Sequence, residues 1–153
     1  MKRIEVRLSL DVVAPLLDVI KAASDALSEA LAVPTAPDEI DVDLRVAWRA
    51  ELLATQNREV GELLGLFDSE FFVSGVVAFD GANAELILRA CAAVRLQVRE
   101  QHLAHLPELA LESGDLELTS LDETTRKAFM CYLFLATVQE LIIEHLDDVI
   151  LEG

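Results

Sequence analysis

The chain has 153 residues, 53 % of them apolar, and 28 acidic side chains against 12 Lys and Arg leave it with a formal charge of −16. That length suits one domain with a core of its own, and that charge repels nucleic-acid phosphate and anionic membrane surface alike. Nucleic acid and lipid are therefore excluded as expected partners, while the high apolar content points to surface that another protein covers, a second copy first.

Taken in order, the chain opens with an alternation. Ile4, Val6, Leu8 and Leu10 fall on one side and Arg3, Glu5, Arg7 and Ser9 on the other, which predicts a half-buried strand over 2–10 rather than a secretory leader. Asp11 then caps a predicted helix to Ala32 with the stripe Val13, Leu16, Leu17, Ile20, Leu27 and Leu31, stopped by Pro34 and Pro37. A second helix is expected from Asp38 or Asp41 to Gly65, because Asp38, Glu39, Asp41 and Asp43 complement the positive end of a helix dipole. Its predicted buried face is Leu44, Trp48, Leu52, Gln56, Val60, Leu63 and Leu64. Gln56 is the polar member of that face. An amide left unpaired there costs about 1–3 kcal/mol, so Gln56, like Gln139 on the last helix, is expected to hydrogen-bond in the core or across an interface.

After a turn at 68–72, the run from Val73 to Phe79 is rich in β-branched and aromatic residues and predicts a second short strand. The segment from Asn83 to Leu106 follows. Wound at 100° per residue, its apolar side chains cover nearly the whole circumference, so this helix must be surrounded by others. Ser113 and Gly114 mark a loop, the alternation over 115–119 predicts a third short strand, and Ser120 with Glu123 reads as a capping box opening a last helix from Leu121 to about Val149. The expected fold is mainly α: a single domain over 1–153, with four long helices bundled around the central helix (about 83–106) and two or three short strands forming a minor sheet.

Chemistry is sparse. The chain holds no Gly-x-Ser-x-Gly elbow, no glycine-rich phosphate cradle and no Glu-x-x-His pair. His102 and His105 share a helical spacing, but no further ligand can be named, so neither metal nor cofactor is expected. Cys91 and Cys131 lie in apolar helical runs and read as reduced, buried hydrophobes of a cytoplasmic protein. The longest uncharged run, 128–139, is too short for a membrane span of about 20 residues. One local feature has functional interest: Arg95, Arg99 and His102 fall at i, i+4 and i+7 as a narrow basic strip on an otherwise apolar helix. Either neighbouring carboxylates pair with this strip, or it lies open and grips an anionic group of a ligand or partner.

The pieces Arg89-Ala90, Ala93-Val94-Arg95-Leu96, Phe134-Leu135-Ala136 and Gln139-Glu140 resemble a bacterial family of unknown function. Its members are small acidic helical proteins often encoded beside the Clp protease adaptor. The resemblance covers the last two thirds of the chain, implies an intracellular protein with a link to protein turnover, and carries over no catalytic residue. The expectation from the whole chain is a noncatalytic protein-interaction or regulatory module, homodimeric, with its protein partner unidentified. Two rivals stand beside it. One is a small-ligand-binding helical protein or enzyme with an anion-binding pocket near Arg95 and Arg99, and the other is an acidic polyanion mimic.

Overall fold

A computed structural model describes residues 3–32, 42–114 and 117–145. The proline stop at 34 and 37, the acidic helix start at 38–41, the first part of the predicted third strand and the end of the last helix lie outside the described residues.

The fold is mainly helical with a minor two-stranded sheet. Strand β1 (Ile4–Arg7) pairs antiparallel with β2 (Val76–Phe79), Ile4 facing Phe79 and Arg7 facing Val76. The long helices are α1 (Leu10–Leu27), α2 (Val42–Gly65), α4 (Ala84–Val98) and α6 (Glu123–Glu144), with short helices α3 (Ser69–Ser74) and α5 (Glu108–Ser113) between them. The expected centre holds: α4 packs against α1, α2 and α6. Ile87, Cys91, Val94 and Val98 of α4 are sealed among Ile20 and Leu27 of α1, Leu63 of α2, and Phe129 and Leu135 of α6.

Several boundaries shift for local reasons. α1 starts after Ser9 rather than Asp11 and ends at Leu27, short of Ala32. The predicted strand from Val73 gives up its first residues to α3, because Asp68 accepts the Phe71 N–H and caps a helical turn there. Gly75 closes that turn at φ +73, donating to the Phe71 carbonyl, and releases the chain into β2. Beyond Val98 the central helix widens into a π turn over Arg99–Leu103 and does not run regularly to Leu106. Leu118–Ser120 forms a 3₁₀ turn where the end of a third strand was expected.

The capping box is also corrected. Ser120 donates to the Glu117 carbonyl, and Asp122 is the cap of α6, accepting the Thr125 N–H at 2.7 Å. Those hydrogen bonds from Thr125 hold the Asp122 carboxyl below its ordinary value of 3.8, helped by the nearby charges of His105 and Arg126. A carboxyl lowered on folding contributes stability above its unfolded value and loses it as pH falls further. Asp122→Asn keeps a cap acceptor without the charge. The thermal midpoint of the native chain should therefore exceed that of the variant at neutral pH, and the gap should close below pH 3.8 in circular-dichroism melts. A gap independent of pH would leave the carboxylate without that part.

Candidate functional site

The basic strip is turned toward α5 and α6. Arg95 on α4 donates through Nη1 to Gln139 Oε1 at 2.8 Å, and its guanidinium carbon stands 4.3 Å from the centre of the Tyr132 ring. Tyr132 is buried, so this cation–π contact is largely screened from water. Gln139 in turn donates to the Leu88 carbonyl at 3.1 Å. Gln139 is half-buried, and its amide ties α6 to the backbone of α4 and orients Arg95.

Arg99 leaves the strip for a different partner, pairing with Glu108 of α5 at 3.2 Å. That hydrogen bond raises the guanidinium above its ordinary range, with Tyr132 adding to the effect. His102 sits half-buried within the π turn, and His105 beyond it is exposed, next to the charge of Asp122. Of the three strip residues, Arg95 and Arg99 meet around Tyr132, while the widened turn takes His102 out of the phase that an ideal helix would give it.

The two arginines are held differently. Arg99 has its carboxylate. Arg95 has a neutral amide and a ring, no carboxylate of the described residues pairs with it, and its buried Nε has no hydrogen-bond acceptor among them. Arg95 also lines a cavity of about 630 Å³ between α4, α5 and α6. The apolar wall includes Leu133, Ala136 and Ile143, and Glu112 and Glu140 stand at its exposed rim.

Gln56 lies half-buried at the far side of α4. Its Nε2 donates to the carbonyls of Leu27 and Ala30, both at 2.9 Å, and its Oε1 accepts the Ala32 N–H at 3.0 Å. Asn57 and Arg49 donate to the Ser28 and Glu29 carbonyls from the same helix. The end of α1 is thus capped from α2, which explains why α1 stops at Leu27. Beside this cap Glu59, only 6 % exposed, pairs with Arg89 of α4.

The predicted face of α2 is where sequence and structure part. Glu59, Val60 and Leu63 are buried, but Leu44 is 63 % and Trp48 43 % exposed, and Val42 and Val46 are uncovered as well. Nothing in the sequence pattern distinguishes these turns from the buried ones. Next to them an apolar groove of about 380 Å³ runs between α2 and α4, floored by Leu52, Ala92, Ala93 and Leu96.

The two thiols are sealed in the core. Burial pushes Cys91 and Cys131 up to about 12, and neither is in a disulfide. Among the described residues no group of three His, Cys, Asp or Glu side chains converges, and no helix is long and apolar enough to cross a membrane.

No family model, curated protein or solved structure matches the chain.

Proposed function

We propose that this chain is a noncatalytic interaction module of the cytoplasm that pairs with a second copy through the uncovered first turns of α2. The observation that carries this reading is the pair Leu44 and Trp48, which extends through half-buried Leu52 from the buried Val60 and Leu63 and is uncovered among the described residues, with Val42 and Val46 exposed on the other side of the same turns. Complete burial of one such side chain is worth about 1.5–3 kcal/mol, so covering this face stabilises a contact.

Charge favours a second copy as the cover. α2 and α4 hold five carboxylates, Asp43, Glu51, Glu59, Glu62 and Glu85, balanced by five arginines, Arg45, Arg49, Arg58, Arg89 and Arg95. The rest of the chain accounts for the net −16. A contact between two copies through these near-neutral helices avoids setting the acidic remainder of one chain against that of the other. A twofold arrangement then lets the overhanging turns of each α2 lie on the α2–α4 groove of the other.

Light scattering on the eluting protein tests this. The native chain should run at twice its monomer mass of 16.8 kDa at micromolar concentration. Trp48→Asp and Leu44→Asp should each run as folded monomers, since both side chains are exposed in the single copy. A native monomer overturns the pairing, and a dimer that survives both substitutions overturns the choice of face.

A further inference from the structure

The cavity beside Arg95 is a different observation from the face of α2, and we infer that it binds a small zwitterion with an apolar body, of which an apolar amino acid is the simplest. The argument starts from the guanidinium. In a chain with 28 carboxylates, Arg95 is partly buried yet pairs with none of the described ones. A cation withdrawn from water is stable when charge and hydrogen bonds compensate it. Here Gln139 and Tyr132 supply part of that compensation; Nε is sealed from solvent without an acceptor among the described residues, so the Nη end of the guanidinium is the part a ligand can reach.

These two contacts also fix where the guanidinium points. Gln139 holds one edge and Tyr132 supports one face, so little side-chain freedom remains to be lost when a ligand carboxylate arrives. An Arg fork takes a carboxylate through paired N–H donors. The volume, about 630 Å³, lies within the usual range for small-molecule sites.

The remaining lining selects among carboxylates. Leu133, Ala136 and Ile143 give an apolar wall for the body of the ligand. Glu112 and Glu140 at the rim repel a molecule whose charge is only negative and attract an ammonium group. Phosphates and dicarboxylates are disfavoured by the same pair. A molecule carrying one carboxylate, one ammonium and an apolar side chain satisfies all three parts of the lining at once.

Three probes separate these contributions: phenylalanine, 3-phenylpropanoate, which lacks the ammonium, and phenethylamine, which lacks the carboxylate. Titration calorimetry on the native chain should rank phenylalanine first. Phenethylamine should be weaker by at least tenfold, and phenylpropanoate by about threefold, because rim carboxylates are partly screened by water. Arg95→Gln should erase the preference for phenylalanine over phenethylamine. Because that variant also loses the Tyr132 contact, Glu140→Gln serves as the second: Glu140 is exposed, the fold is untouched, and the preference over phenylpropanoate should fall. Failure of all three probes to bind, or equal binding of phenylalanine and phenethylamine, overturns the inference. Neither result bears on the dimer, which involves other residues.

Discussion

Gln56→Ala should cost this fold about 2–4 kcal/mol, more than a half-buried polar side chain usually carries. One amide serves three backbone groups, the carbonyls of Leu27 and Ala30 and the N–H of Ala32. Removing it leaves the end of α1 without acceptors and donors that water reaches only in part. Urea denaturation followed by circular dichroism gives the number, with an unchanged m-value expected because the same surface is exposed on unfolding. Gln56→Glu is the sharper form of the test. It keeps the size and the acceptor for Ala32 but loses both donors and sets a carboxylate against two carbonyl oxygens, so it should be at least as damaging as alanine. A loss below about 0.5 kcal/mol in both variants would mean that Asn57 and Arg49 hold the end of α1 unaided.

The second large effect is expected at Gly75. Its φ is +73, and a Cβ built there would lie 2.9 Å from the Leu8 carbonyl oxygen. Backbone cannot swing aside as a side-chain tip can. The same residue also accepts the Leu8 N–H at 2.7 Å, so any retreat from the clash opens the junction between β1 and β2. Gly75→Ala should therefore cost about 2–4 kcal/mol, combining left-handed strain of about 1–2 kcal/mol with the contact. Gly114 provides the internal comparison. It has nearly the same φ, +71, but its nearest neighbour would be a Leu133 methyl at 3.6 Å, ordinary contact distance. Gly114→Ala should show the strain alone, and equal losses at the two glycines would remove the Leu8 contact from the account.

The central helix was legible from residues alone because its apolar circumference calls for several neighbours, and the structure packs it against α1, α2 and α6, leaving Ala92 and Leu96 exposed on its open side. Gln56 and Gln139 stood out for the same reason: an amide on an apolar face announces a hydrogen bond, although not its partner. The cap of α6 was misread because two overlapping signals, Ser120 with Glu123 and Asp122 with Thr125, compete within three residues. A 3₁₀ turn at Leu118–Ser120 decides between them. The strip of Arg95, Arg99 and His102 assumed one uninterrupted helical phase, which the π turn breaks. Periodicity located the stripe of Leu44 and Trp48, but burial also depends on what else is packed there, and among the described residues both side chains stay exposed.

The pairing of Ile4 with Phe79 has a consequence for the chain as it is made. On the ribosome, β1 emerges long before β2, the strand it pairs with, and a lone edge strand is a template for pairing with other nascent chains. Arg3, Glu5 and Arg7 are exposed on its outer side, next to the half-buried Ile4 and Val6. Those alternating charges make a poor surface for strand stacking. They guard the strand through the interval of synthesis in which β2 does not yet exist.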